Sequence, residues 1–237
     1  MSAGPRLTLS AIRIHPLKSG RALLPAAVEV DEFGPRHDRR WLAVDPDGVF
    51  LSQRDDPALA RVAPSLAGDR LSLDAPGLPT LEVPAGRERR TVEIWGDRVA
   101  AVDCGDAAAE WMTAALGRPA RLVHFPDEPL RPVPAPHGRP GDRVSFADAF
   151  PFLLLTRASV DDLNRRLAEP VPVERFRPNL VIEGAAPYEE DTWRRIRIGD
   201  VVLDVVKPCA RCVITTTDQA TGARDATLTN SDGGADT

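Results

Sequence analysis

The sequence predicts a β-rich α+β chain with few helices, barrel-like, in two parts that meet near residue 125. Three observations predict it. Short apolar runs recur along the chain between Gly, Pro, Asp and Asn, with the alternation of half-buried strands. Two stretches carry helical periodicity with start and stop signals. A proline- and charge-dense run, FPDEPLRPVPAPHGRPGDR, divides the chain.

Taken in order, Leu7–Ile14, Trp41–Val44 and Val49–Ser52 read as strands. Leu71 and Leu73 alternate with Leu81 and Val83 across the turn D-A-P-G-L-P, and Val92–Trp95 and Arg98–Asp103 flank Gly96-Asp97 as a second hairpin. Asp106 is placed to cap a helix over AAAEWMTAALG, which Gly117 and Pro119 end. Beyond the proline-rich run, Phe152–Thr156 reads as a buried strand. SVDDLNRRL then opens a helix, with Ser159 and Asp162 at capping-box spacing. Leu180–Ile182, Ile196–Ile198, Val201–Val206 and Val213–Thr217 are further strands. The predicted organisation is a first domain over 1–124, a crossing over 125–143, a second domain over 144–218 and a mobile tail over 219–237, where Leu228 is the one large apolar residue.

Composition excludes several classes. With 43% hydrophobic and 27% charged residues the 237-residue chain is globular, and it holds no apolar run near the roughly 18 residues a membrane helix needs. The start, MSAGPRLTLSAIRIHP, has no basic segment followed by an apolar one, so no secretory signal is expected. Three cysteines, an odd number, predict a reducing cytoplasm rather than a disulfide framework. A net charge of −5 argues against a general nucleic-acid binder. All but two of the 30 basic residues are arginine; the exceptions are Lys18, in P-L-K-S-G, and Lys207, just before Pro208-Cys209.

The pair in KPCARCVITTT poses the chemical question. Zinc needs four ligands, and neither Cys104 nor the scattered His15, His37, His124 and His137 form a ligand-spaced pair. A thioredoxin-like pair opens a helix, whereas V-I-T-T-T is strand sequence. In an extended chain, positions three apart face opposite ways, so Cys209 and Cys212 are not expected to share a site. Two readings stay open: a pair of small buried hydrophobes, or one thiolate, Cys212, favoured in its ionised form by Arg211 and able to ligate a metal. Three further stretches supply anion-binding groups. HPLKSG offers Lys18 and Ser19 at a strand end, HDRRWLAV sets Arg39 and Arg40 before a buried strand, and FRPNLVIEG holds Arg177, extended by Pro178, and Asn179. With Cys212 they suggest a thiolate beside ligands for phosphate and a polar heterocycle.

These stretches bring a family resemblance. IRIHPLKSG, HDRRWLAVD, AEWMTAALGRPARLVHF, FADAFPFLLLTRASVDDLNRRL, VERFRPNLVIEG, EEDTWRRIRIGD and KPCARCVITTTDQATG occur in this order between residues 7 and 222. The chain thereby resembles the MOSC-domain proteins with their N-terminal β-barrel domain, and among them the amidoxime-reducing components and their bacterial counterparts. The resemblance implies a molybdenum cofactor, with Cys212 as the protein's sulfur ligand to the metal and the catalytic residue. Lys18, Ser19 and Arg39 match positions that hold the pterin and its phosphate; Arg177, Asn179 and Arg211 match further cofactor contacts. It implies reduction of small N-hydroxylated substrates by oxygen-atom transfer, with electrons from a separate donor protein and no nucleic-acid or membrane partner. Asp148 is the nearest candidate acid. The same domain occurs in cofactor sulfurases, which carry a pyridoxal phosphate domain, so a sulfur- or cofactor-carrying module, or a degenerate non-catalytic member, are the alternatives. Family members continue roughly 50 residues further, so the second barrel is expected to be truncated at its C-terminal end, with an open sheet edge.

Overall fold

A computed structural model describes residues 6–128, 131–225 and 228. Among them the chain is strand-rich, with two α-helices, α1 (Asp106–Leu116) and α2 (Arg157–Arg166). The central sheet is antiparallel, in the order Trp41–Val44, Arg121–His124, Asp97–Asp103, Glu88–Ile94. Alternation sends Trp41 and Ala43 into one apolar cluster, with Leu71, Met112 and Leu122, and Leu42 and Val44 into another, with Val92, Phe125 and Phe146. With both faces covered, all four residues of W-L-A-V are buried.

The hairpin Glu88–Ile94/Asp97–Asp103 closes through Trp95-Gly96, both at positive φ (53° and 81°), as a two-residue turn of matching twist requires. The turn falls one residue earlier than the sequence suggested, because Asp97 pairs with Ile94. Ala63–Ala67, Arg70–Asp74 and Leu81–Glu82 form a second sheet, including the expected hairpin. Val49–Ser52 makes only isolated bridges, Val44 to Phe50 and Val49 to Glu93, and no strand.

Both helices form where predicted, with caps displaced. α1 starts after Gly105, and Asp106 is drawn instead to Arg121 (3.0 Å); Gly117, left-handed at φ 70°, ends it as expected. α2 is capped by Thr156, whose hydroxyl accepts from Ser159 N (3.2 Å), while Ser159 sits inside the first turn.

The halves interlock. Thr8–Ile12, from the start of the chain, pairs antiparallel with Leu180–Glu183, which pairs in parallel with Leu154–Thr156 across the α2 crossover. Two two-stranded pairs, Val30–Asp31/Gly34–Pro35 and Arg195–Ile198/Val201–Asp204, complete the set, and among the described residues the pairings do not close a ring. No helix among them is long and apolar enough to cross a membrane.

Two expectations near the C-terminal end are corrected. Val213–Thr216 is a 3-10 turn, not a strand: the hydroxyls of Thr215 and Thr216 donate to Cys212 O (2.9 Å) and Val213 O (2.7 Å), which holds the backbone wound. Residues 219–225 pack despite their lack of apolar side chains, because Gln219, Arg224 and Asp225 reach Gln53, Arg54 and Arg175. Except for Leu228, the rest of the expected tail lies outside the described residues.

Candidate functional site

Four distant segments converge at the junction of the halves. The loop His15–Gly20 lies along Asp38–Trp41 through Arg39 N to His15 O (2.9 Å), Trp41 N to Pro16 O (3.0 Å) and Lys18 N to Trp41 O (2.8 Å). Phe146 N to Arg39 O (3.0 Å) adds the third segment, and Arg13 N to Asn179 O (2.8 Å) the fourth. Lys18 Nζ donates to Phe146 O (2.9 Å) and to the Asp148 carboxylate, which also accepts from Trp95 Nε1 (3.2 Å). Arg39 Nη1 donates to Asp38 and to Asn179 Oδ1 (3.1 Å), and its Nη2 to Arg177 O (3.4 Å). Arg177 Nη1 donates to Gly20 O (2.7 Å), and Ser19 Oγ accepts from Gln53 N (3.1 Å).

Ser19, Arg39 and Arg177 share a feature no propensity would suggest: each has positive φ (67°, 50° and 53°). That region costs a residue with a side chain ~1–3 kcal/mol and persists where the surroundings over-determine it. Arg177 was expected to be extended by Pro178. It instead closes the 3-10 turn Val173–Phe176, its N bonded to Glu174 O (3.1 Å); the proline disfavours right-handed helix at this position, and the chain turns left-handed.

The electrostatics are lopsided. Lys18, Arg39, Arg54 and Arg177 face two carboxylates, Asp38 and Asp148. Burial pushes Lys18 down to about 8 against the pull of Asp148, and pushes Arg177 down to about 9, with Arg39 adding to the effect. Burial, then Arg177 and Arg39, lowers His15 to about 3. Burial alone would raise Asp38, but Arg39 and His15 hold it at about 2. Asp148, whose side chain is exposed to solvent, is held well below the usual carboxylate range by Lys18. It is therefore ionised at neutral pH, which removes it as a proton donor. Arg177 Nη2 and Arg54 Nη1 are buried with no hydrogen-bond partner among the described residues, the Arg54 guanidinium lying over the Trp95 ring (4.5 Å). A buried donor without an acceptor, inside a net-positive cluster, fits an oxyanion. Two clefts lie elsewhere, against α1 near Asp103, which Arg90 (2.9 Å) and Arg121 (2.7 Å) already satisfy; neither is lined by Lys18, Arg39 or Arg177.

Residues 6–119 match the MOSC N-terminal beta barrel domain and residues 141–232 the MOSC domain. Mitochondrial amidoxime-reducing component 1 of Danio rerio is 38% identical over 226 residues, covering 90% of this chain and 70% of that protein. Its Homo sapiens counterpart is 36% identical over 229 residues, covering 91% and 67%. This chain belongs to the MOSC-domain family. A molybdenum cofactor sulfurase of Danio rerio is also similar, 34% identical over 249 residues, covering 93% of the chain and 29% of that much longer protein.

In this MOSC-domain protein, the structure joins Lys18, Ser19, Arg39, Arg177 and Asn179 in one network. Asn179, 1% exposed, has both amide atoms engaged, Oδ1 by Arg39 and Leu153 N (3.1 Å) and Nδ2 on Arg13 O (3.1 Å), so it orients Arg39 rather than offering a free group. Cys212 is half-buried and extended at the head of Val213–Thr216, which packs on Val173–Phe176, the turn leading to Arg177. Arg211 stands apart from the network, its guanidinium over the Phe176 ring (5.5 Å). Cys209 is exposed. Among the described residues no three His, Cys, Asp or Glu groups assemble as a metal site. Sequence reading missed Asp38, Gln53, Arg54 and Gln219. Asp38 could have been found beside Arg39; the glutamines carry no local signal.

Proposed function

We propose that this MOSC-domain protein is a molybdenum-cofactor-dependent reductase of small N-hydroxylated compounds, working in the cytoplasm with electrons from a separate donor protein. One observation carries the reading: buried Lys18 and Ser19 and half-buried Arg39 and Arg177, drawn from both halves, form a cationic cradle with a buried guanidinium nitrogen, Arg177 Nη2, that has no acceptor among the described residues. When bound, the cofactor supplies two-electron oxygen-atom chemistry, by which an N–OH group becomes N–H with release of water.

The chain's residues do the holding. Lys18 and Arg177 present charge to a phosphate, and Ser19 keeps a hydroxyl proton to donate while its oxygen accepts from Gln53 N. Asp38 and Asn179 fix the plane of Arg39. Cys212 Sγ would be the protein's sulfur ligand, on a segment registered against the cradle through the packing of Val213–Thr216 on Val173–Phe176. Arg211 would lie on the flank of that ligand.

The test is expression in cells that make the cofactor, followed by metal and pterin analysis. Stoichiometric molybdenum that Cys212→Ser loses, with N-hydroxylated substrate reduced under a chemical donor, is the expected result. Wild-type protein without molybdenum refutes it. A second reading, a sulfur- or cofactor-carrying module, is favoured by the exposed thiol of Cys209. It predicts a persulfide detectable by mass and no turnover of N-hydroxylated compounds.

A further inference from the structure

Arg177 and Arg54, the half-buried arginines of the cradle with a nitrogen unpartnered among the described residues, differ from the ion-paired arginines in what holds them. Arg13, Arg39, Arg40, Arg131 and Arg175 pair with Glu174, Asp38, Asp127, Asp97 and Asp225. Arg177 has no ion pair among the described residues; its Nη1 is bound by Gly20 O (2.7 Å) and Gln219 Oε1 (3.2 Å), both neutral.

Gln219 is itself clamped. Gln53 Nε2 donates to Gln219 Oε1 (2.9 Å) and Gln219 Nε2 returns a bond to Gln53 Oε1 (2.8 Å). The same nitrogens donate to Ser19 O (2.7 Å) and Thr217 O (3.1 Å). A donor-only guanidinium at one end and two carbonyls at the other dictate which amide atoms are oxygen and which nitrogen. Gln53 is fully buried, so on its side these bonds cannot be traded for water, while Gln219 is half-buried. The loop carrying Gln219 is tied down as well: the Asp218 carboxylate accepts from Ala220 N (2.9 Å) and Thr221 N (2.8 Å), and Arg224 donates to Gln53 O (2.7 Å).

We propose that Gln53 and Gln219 are positioning residues, a neutral amide clamp that aims Arg177 while leaving its charge for an oxyanion of the ligand. A carboxylate in the Gln219 position would hold the guanidinium as firmly, but it would neutralise the charge and compete for it. An apolar residue would leave the charge and lose the aim. Because Gln219 follows Cys212 in the same stretch, the clamp also registers the thiol-bearing segment on the cradle. The inference rests on the cradle as an anion site and deepens that reading.

The test uses purified full-length protein, inorganic pyrophosphate as probe, titration calorimetry and thermal unfolding. Gln219→Glu is expected to bind pyrophosphate at least about tenfold more weakly than wild type and more weakly than Gln219→Leu, although both variants melt lower without ligand because both lose the Gln219 Nε2 bonds to Gln53 Oε1 and Thr217 O. Gln219→Leu should bind several-fold more weakly and melt lower, and Arg177→Met should abolish the effect of pyrophosphate. Gln219→Glu binding pyrophosphate like wild type, or wild type not binding it, overturns the clamp. Molybdenum content of the same variants separates the two readings. Full molybdenum with unchanged pyrophosphate affinity in Gln219→Glu sinks the clamp alone. Molybdenum-free wild type with the expected pyrophosphate pattern sinks the cofactor reading and leaves the clamp.

Discussion

Lowering the pH from 7 to 5 should destabilise the chain steeply, and His15 is one cause. Its imidazole is 2% exposed beneath Arg39 and Arg177, and its folded-state value is about 3 against the ordinary 6.5. Below pH 6.5 the unfolded chain takes up a proton that the folded chain refuses, so stability falls with falling pH until about 3. At pH 5 the unfolded state has gained roughly 1.5 pH units of protonation free energy, about 2 kcal/mol. The figure holds for any folded-state value well below 5. His124, lowered to about 4 by burial and then by Arg40, adds an effect of the same sign in the same window. Asp38 works on the other side: its folded-state value of about 2 supports stability above 3.8, which is lost only as pH falls toward 2, so it does not confound the measurement. The assay is urea unfolding of wild type and His15→Gln at both pH values and constant ionic strength. The variant should lose about 2 kcal/mol less than wild type between pH 7 and 5. Equal losses would refute the placement of a neutral, desolvated His15 under the cradle.

Lys18 sets the first alkaline limit of anion binding: with its folded-state value at about 8, pyrophosphate affinity should fall as pH rises past that point, and in Lys18→Met the fall near 8 should be absent, leaving the later one at about 9 that belongs to Arg177, both by calorimetry. Cys212→Ser should leave urea stability within about 1 kcal/mol, because the side chain is half-buried and the change nearly isosteric, so its loss of molybdenum would be read as loss of a ligand. Gly222→Ala puts a side chain at φ 75° with its Cβ 2.9 Å from Pro57 O; it should cost roughly 1–2 kcal/mol in unfolding experiments and weaken pyrophosphate binding by lifting Gln219.

What was legible in the sequence follows a physical line. W-L-A-V, the Gly117 helix stop and the alternating Leu71, Leu73 and Leu81 were readable because local period and turn chemistry agree with the tertiary outcome there. Val213–Thr217 was misread because β-branched residues favour strands only where a partner strand exists; among the described residues only Thr217 bridges, to Arg224, and the threonine hydroxyls wound Val213–Thr216. Lys18, Ser19 and Arg39 were found because charge and turn residues cluster at strand ends. The left-handed backbones of Ser19 and Arg39 were not, since that conformation is imposed by bonds between the segments around 15–20, 38–41 and 146. Residues 219–225 were discounted for lack of apolar surface, yet they pack through hydrogen bonds to Gln53 and Arg177, contacts more than a hundred positions away in the first case.

The same lopsidedness that suits the cradle for an anion makes the ligand-free chain less stable than it could be. Lys18 and Arg177 are charged at neutral pH while burial opposes that charge, and Arg177 Nη2 and Arg54 Nη1 are buried without acceptors among the described residues, each a desolvation cost of about 1–3 kcal/mol. Three left-handed residues with side chains add strain at the same place. Within the cluster Asp148 offsets part of the Lys18 charge, but Asp38 is engaged by Arg39 and the His15 amide, so neither carboxylate is hydrogen-bonded to Arg177 or Arg54. An anion that satisfies the unpartnered guanidinium nitrogens would bind the folded chain and not the unfolded one, so folding and ligand retention are linked. The first strand makes the link stronger: Thr8–Ile12 pairs with Leu180–Glu183, so the loop bearing Lys18 cannot leave the segment bearing Arg177 without breaking that sheet. The cradle is thus closed by the interlocking of the two halves, and charge that would be a defect in a purely structural core becomes the binding energy for whatever anion enters it.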